Sequence, residues 1–163
     1  MDCSDIMRAM EARIQEKYPG EAVYWDRLPK EFTRPCFTLE LQKNDQADAN
    51  IFLIQRTAVV LVTLYEVINA FYDSSRESLN TRQDQVLALF SKPLKAGDRT
   101  LLPTAQKGEG TPEYSEVAVT FRWLDGRPSF VDEDTAPESE SGIPRMENFE
   151  INNKLSSDPG NRE

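Results

Sequence analysis

The stretch IFLIQRTAVVLVTLY, residues 51–65, decides the fold that this sequence predicts. It is rich in β-branched and aromatic residues and contains neither glycine nor proline, which is typical of a β-strand. With a period of two, one face is nearly all apolar, and over residues 58–62 both faces are apolar. This pattern predicts a central strand, covered on one side and partly covered on the other. A buried helix is the alternative that periodicity alone leaves open.

The length of this stretch has a further consequence. Fully extended, it spans about 50 Å, which exceeds the sheet of a small domain. Part of the strand is therefore expected to project or bend, and a projecting end would offer a contact surface. Arg56 lies within the apolar face, so we expect it near the strand end or paired with a carboxylate.

The rest of the chain predicts helices and strands around this strand. A helix over 4–18 has Ser4 as its N-cap and an apolar stripe at four-residue spacing. A second helix over 76–91 places Arg82 on its solvent side. The predicted strands cover 21–25, 35–42, 51–65, 99–102 and 114–124, with a polar connection over 44–50 and a turn or loop over 107–112.

The order of these elements predicts the fold class. The strands over 35–42 and 51–65 are expected to form an antiparallel hairpin, and those over 99–102 and 114–124 a second one. The predicted order along the chain is therefore a helix, a group of strands, a second helix and a pair of strands. This order favours an α+β fold, an antiparallel-rich mixed sheet with two helices packed on one face and a long projecting β-hairpin.

Charge is distributed unevenly along the 163 residues. The net charge is −9, and residues 125–163 contribute ten acidic and four basic residues, or −6. We therefore predict one domain over 1–124, followed by an acidic tail over 125–163 that contains proline and serine. A short apolar segment near 146–151 is expected to dock or to stay loose. The negative charge argues against nonspecific binding of nucleic acid, and no apolar run is long enough to span a membrane.

The residue types present argue against catalysis. Histidine is absent, which excludes Ser-His-Asp and Cys-His catalysis and every histidine-ligated metal site. Cys36 has no histidine to stabilise a thiolate, and Cys3 and Cys36 do not make a disulfide framework. The acidic run Asp132–Asp134 lacks the ligand spacing of an EF-hand calcium loop, and we interpret it as a solvated segment. We expect a protein without enzyme activity, cofactor or metal; an enzyme acting through paired carboxylates is a further hypothesis.

Several pieces of the chain, in their order, resemble the phage tail terminators, a family of prophage-encoded proteins of Gram-positive bacteria. The resemblance covers most of residues 4–124 and a segment near Met146. The pieces are Tyr18-Pro19 at the end of the first helix, Val23-Tyr24, Pro35-Cys36-Phe37, the long strand through 59–65, the helix over 80–90, the late strand over 114–123 and the closing segment 146–150. An acidic segment from Gly126 to Arg145 precedes this last piece and is longer than is usual in the family.

This resemblance implies a structural protein of the virion tail that assembles in the cytoplasm of the bacterial host. Tail terminators form a ring, commonly hexameric, that stops polymerisation of the tail tube and offers a surface for head joining. The implied partners are further copies of the chain, the tail-tube protein and a head-completion protein. We expect Phe52, Ile54 and Arg56 to reach a neighbouring subunit. The alternative is an acidic adaptor or regulatory module, which would lose its partner if residues 126–163 were deleted.

Overall fold

The computed structural model describes residues 2–71 and 73–127. The elements in chain order are α1 (Cys3–Lys17), β1 (Ala22–Trp25), β2 (Cys36–Asp48), β3 (Leu53–Tyr65), α2 (Arg76–Leu89), β4 (Leu94–Ala96), β5 (Arg99–Leu101), β6 (Thr104–Gly110) and β7 (Tyr114–Gly126). Neither helix is long and apolar enough to cross a membrane, a finding that concerns the described residues.

β3 lies at the centre of a five-stranded sheet in the order β1-β2-β3-β7-β6. It pairs antiparallel with β2, from Cys36 opposite Tyr65 to Asp48 opposite Ile54, and with β7 over its whole length. β1 is parallel to β2, and β4 and β5 form a separate two-stranded sheet. The fold is thus α+β with a mixed, mainly antiparallel sheet, as the sequence predicts.

Both helices pack on one face of the sheet, where alternate β3 side chains meet them. Ala58, Val60, Val62 and Leu64 are fully buried on this face. The helices contribute a shared stripe of buried residues, namely Ile6, Met10 and Ile14 of α1 and Val86 of α2, with Phe90 just after it. Burial of a Val or Leu side chain contributes about 1.5–3 kcal/mol, so this layer is the main source of the fold's stability.

The structure corrects three predictions about the strands. The polar segment over 44–50 is predicted as a connection, but β2 continues through it to Asp48, because its backbone stays hydrogen-bonded to β3. The strand over 99–102 is predicted to pair with the late strand, but β5 pairs with β4. The hairpin partner of β7 is β6, which occupies part of the predicted loop over 107–112.

Smaller differences concern element ends. α1 is capped by Asp2 rather than Ser4: the Asp2 carboxylate accepts from the Asp5 backbone N–H, and Asp5 accepts in return from that of Asp2. β7 ends at Gly126, two residues beyond the predicted domain boundary at 124. The predicted tail after residue 127, with its acidic run and the segment near 146–151, lies outside the described residues.

Candidate interaction surface

The β2–β3 hairpin and the end of β7 form one end of the sheet, which we call the distal arm, residues 42–58 and 121–127. Its inner face is buried at Ile54, Ala58 and Phe121. The first four residues of β2 are buried, whereas all residues from Gln42 to Asp48 are exposed. β1 covers only the beginning of β2, because its pairing ends at Trp25 opposite Leu39. The arm is nevertheless three strands wide, since β3 pairs with β7 as far as Gly126. A three-stranded arm is stiffer than an isolated hairpin.

The tip of the distal arm, which we call the hairpin turn (Asn50, Ile51 and Phe52), exposes two large apolar side chains. Ile51 is 77% and Phe52 73% exposed. The Asn50 Oδ1 accepts hydrogen bonds from the backbone N–H groups of Phe52 and Leu53, both at 2.8 Å. Such an Asx turn fixes the local backbone. Arg127 adds a brace, because its backbone N–H donates to the Phe52 carbonyl at 2.8 Å.

Of the three residues predicted at a subunit interface, only Phe52 stands exposed. Ile54 is 1% exposed. Arg56 is paired, as expected from its place in an apolar face: its Nε lies 3.0 Å from the Asp125 Oδ2. The interface role of the three residues stays a prediction, and Phe52 is the side chain that a partner can reach directly.

Asp125 joins the distal arm to the rest of the domain. Its Oδ1 lies 2.7 Å from the Arg99 guanidinium, and its Oδ2 accepts from the Trp123 indole N–H at 3.1 Å. Arg99 also donates to the Leu124 carbonyl. Together with the Arg56 contact, one carboxylate thus gathers side chains from β3, β5 and β7. This network ties the arm, close to the hairpin turn, to β5. A carboxylate partner for Arg56 was predicted from the sequence, but Asp125 could not be named because Arg56, Arg99 and Asp125 are far apart in the chain.

A second exposed apolar turn follows the other end of β3, and we call it the loop turn (Val67, Asn69 and Phe71). Val67 is 62% and Phe71 83% exposed. The Asn69 Oδ1 accepts from the backbone N–H groups of Phe71 at 2.8 Å and Asp73 at 3.1 Å. This turn was not predicted from the sequence, although an Asn-Xaa-Phe triplet, present also at the hairpin turn, is a signal that could have indicated it.

Arg82 holds the base of the loop turn from the helical side of the sheet. It is 8% exposed and forms ion pairs with Glu21 and, at 2.6 Å, with Glu66. Its guanidinium lies over the rings of Tyr18 and Phe37, at 4.8 and 4.6 Å. Burial lowers the pKa of this guanidinium, and the two carboxylates offset that cost. The predicted solvent position of Arg82 is therefore wrong.

Arg34 holds the same base by a second set of contacts. It donates to the carbonyls of Glu66 at 3.3 Å and Glu113 at 3.1 Å. Its guanidinium lies over the rings of Phe32 and Tyr65, at 5.4 and 5.3 Å. Glu66 is therefore fixed through its backbone by Arg34 and through its side chain by Arg82, and the loop turn begins from a rigid point.

The sheet face opposite the helices carries a shallow cleft of about 490 Å³. Glu40, Tyr65, Tyr114 and Glu116 are among the residues that line it. Burial raises the pKa of the Glu116 carboxyl, and the nearby charges of Glu109 and Glu40 raise it further. The cleft is thus polar and acidic, a character that disfavours phosphate groups.

Cys36, the nucleophile weighed from the sequence, is fully buried. Burial raises the pKa of its thiol to about 11, so the thiolate is scarce at neutral pH. This thiol is a core side chain at the start of β2.

No protein-family model and no curated protein matches the chain. Among solved structures, one whose designation gives no function is 16% identical to this chain, with a TM-score of 0.40. The alignment covers 79% of this chain and 98% of the other. A likeness at this level carries no argument about fold or function.

Proposed function

We propose that this chain is a ring-forming phage tail terminator, which caps the tail tube and provides a surface for head joining. The observation that carries the proposal is the distal arm. A three-stranded end of the sheet, exposed along β2 and ending in two exposed apolar side chains, Ile51 and Phe52, suits a subunit that packs this tip against a neighbour. Neighbouring exposed apolar side chains that form a contiguous patch are typical of interaction sites.

The geometry also supports a ring rather than a two-fold dimer. Ring closure requires a heterologous contact, in which each subunit uses two different patches. The distal arm supplies one patch, and the opposite end of β3 offers another. The proposed ring is hexameric, its partners are the tail-tube protein and a head-completion protein, and its place is the virion tail, after assembly in the host cytoplasm.

The charge of the chain fits a protein that surrounds passing DNA. With a net charge of −9, a ring of such subunits repels phosphates instead of holding them. Affinity for nucleic acid normally comes from lysine and arginine contacts with the backbone. The proposal therefore expects no specific nucleic-acid binding.

The test is co-sedimentation with tubes assembled from the tail-tube protein encoded in the same gene cluster. The wild-type chain should pellet with the tubes in a substoichiometric amount that increases when tubes are sheared to create more ends. Phe52→Asp should reduce this amount at least tenfold. Absence of wild-type binding, or binding in proportion to tube mass, would contradict the proposed role.

Leu102→Asp is the matched control, because Leu102 is 69% exposed. It lies just before β6, whose Thr104 pairs with Thr120 near the middle of the sheet. This variant carries the same change of charge and polarity away from both ends of β3. It should bind tube ends like the wild type.

A further inference from the structure

A small pocket lies between the first turns of α2 and the strands β6 and β7, and we call it the α2 pocket. Its volume is about 150 Å³, which is room for about five water molecules. Among the described residues that line it, none is acidic. The cleft on the opposite face of the sheet differs in this respect, because Glu40 and Glu116 line it. Side chains that line the α2 pocket include those of Arg76, Asn80, Gln83, Lys107 and Ser115.

Two buried polar side chains form the floor of the α2 pocket. Ser115 lies opposite Leu64 of β3, so its side chain shares the sheet face on which Leu64 is buried and points towards α2. Ser115 is 3% exposed, and its Oγ has no hydrogen-bond partner among the described residues. Gln83, the second buried side chain, donates from its Nε2 to the Glu116 backbone carbonyl at 2.7 Å. A buried hydroxyl without a protein partner is rare and is usually completed by a bound water or ion.

The rim of the α2 pocket carries positive charge. Arg76 and Lys107 are both exposed and both line the pocket. Lys107 forms an ion pair with Asp84 at 2.7 Å, whereas Arg76 forms none with any residue that the structure describes. Two basic side chains and one acidic side chain leave a net charge of +1 at the rim. Arg76 is also the first residue of α2, where the helix dipole adds partial positive charge.

Glycines in β6 keep the α2 pocket open. The pairing of β6 with β7 shifts its register between Lys107 and Gly110, and such a β-bulge bends the strand locally. A Cβ at Gly108 would lie 2.8 Å from the Cβ of Glu116, so glycine is needed for the bulge to approach β7 this closely. Gly108 and Gly110 line the pocket without filling it. The Glu116 carboxylate lies on the other face of the sheet, away from the pocket.

We propose that the α2 pocket binds one phosphate-type oxyanion, either a free phosphate ion or the phosphate group of a small ester. A pocket of this volume holds one such group. The oxyanion accepts a hydrogen bond from the Ser115 hydroxyl at the floor, and Arg76 supplies a guanidinium that pairs with phosphate oxygens at the rim. A hard metal ion does not suit the pocket, since it requires carboxylate ligands. A purely apolar ligand would leave the Ser115 hydroxyl without a partner.

This inference is independent of the proposed ring, and it agrees with the absence of nucleic-acid binding that the ring proposal expects. Affinity for nucleic acid requires contacts with several phosphates along a backbone. The α2 pocket is closed on one side by α2 and on the other by β6 and β7, and it accepts a single group. The ligand is therefore a small molecule.

Titration with inorganic phosphate, followed by NMR of the isotope-labelled protein at constant ionic strength, tests the proposal. The amide signals of Gly108, Gly110 and Ser115 should shift and saturate, with a dissociation constant on the order of 1 mM, because a small ion makes few contacts. Phosphoserine distinguishes the two sources of the group. Binding at least as tight as that of inorganic phosphate indicates an ester, and binding at least fivefold weaker indicates the free ion. Acetate that binds as tightly as phosphate would contradict the assignment to a phosphate-type group.

Three variants test the residues that the proposal names. Ser115→Ala removes the hydroxyl without leaving another group unpaired, so the variant should fold normally and bind phosphate at least fivefold more weakly. Arg76→Met should weaken binding by a similar factor. Arg122→Met is the matched control, because Arg122 is exposed and follows Phe121, which faces the helices, so its side chain lies on the other face of the sheet. This control should bind phosphate like the wild type, and thermal unfolding without phosphate checks that all three variants fold.

Three results would overturn the inference. The first is the lack of any saturable shift, which would mean that the α2 pocket holds water only. The second is a loss of binding in Arg122→Met as large as that in Arg76→Met, which would indicate a nonspecific effect of charge. The third is unchanged phosphate binding in Ser115→Ala. Because the titration contains no tube protein, its outcome is separate from that of the co-sedimentation test.

Discussion

Replacing Arg82 by methionine tests the ion-pair network at the base of the loop turn. The side chain is 10% exposed, and its partners Glu21 and Glu66 are 19% and 14% exposed. Methionine retains much of the apolar volume between Tyr18 and Phe37 but removes the charge. Two largely buried carboxylates then lack their counter-ion, and breaking a buried pair in this way costs about 3–5 kcal/mol.

This loss is large beside the total stability of a domain, which is typically about 5–15 kcal/mol. Because 1 kcal/mol shifts the melting temperature of a domain of this size by about 4 °C, the variant should melt roughly 12–20 °C below the wild type. Urea unfolding followed by tryptophan fluorescence, with calorimetry for the melting temperature, measures both quantities.

Two variants control for this interpretation. Arg76→Met, at an exposed position of the same helix, should change the stability by less than about 0.5 kcal/mol. Adding Glu21→Gln and Glu66→Gln to Arg82→Met removes the unpaired charges and should recover at least half of the loss. If Arg82→Met costs less than about 1 kcal/mol, or if the triple variant is less stable than the single one, the charge-burial reasoning is wrong.

Three further perturbations follow from the same contacts. Asp125→Ala should cost about 2 kcal/mol in urea unfolding, because it leaves the indole N–H of the buried Trp123 without its acceptor and removes the counter-ion of the partly exposed Arg56 and Arg99. Asp45→Ala, at a half-exposed position, should cost under about 0.5 kcal/mol. Glu116→Gln should stabilise the fold near neutral pH by about 0.5 kcal/mol, because it removes a negative charge beside Glu109 and Glu40. The pKa of the Glu116 carboxyl is raised in the folded protein, so the folded state binds the proton more tightly and the stability of the wild type falls as the pH rises through that pKa. The advantage of the variant should therefore disappear in acid. In thiol titration with DTNB at pH 8, Cys3 should react in the native protein and Cys36 only after unfolding; immediate reaction of both would contradict the burial of Cys36.

Hydrophobic patterning predicted the parts of the fold that depend on burial. The apolar run that forms β3 and the helical stripe of Ile6, Met10 and Ile14 lie in the core. Hydrophobic patterning could not predict the second half of β2 as a strand, because its side chains are exposed on both faces. The strand forms there because its backbone pairs with β3, and amino-acid composition gives no information about that pairing.

The candidate surface was predictable only in part. Phe52 could be proposed because the apolar run over 51–65 is longer than the strands expected in a small domain. Arg82 looked solvated because helical position alone cannot show that Glu21 and Glu66, distant in sequence, approach it. The exposure of Phe71 was not predicted, because it follows from a turn that the Asn69 side chain closes. In both misses, long-range or side-chain hydrogen bonding outweighed periodicity.

Electron microscopy of tail tubes assembled with this chain would show whether the chain caps them. If it does, we expect extra density at one end of each tube, with six-fold symmetry in end-on averages, and shorter tubes as the amount of added chain rises. Phe52→Asp and Phe71→Asp should each remove that density, whereas Leu102→Asp should keep it. Unchanged tube lengths without terminal density, or density distributed along the tube wall, would contradict the account.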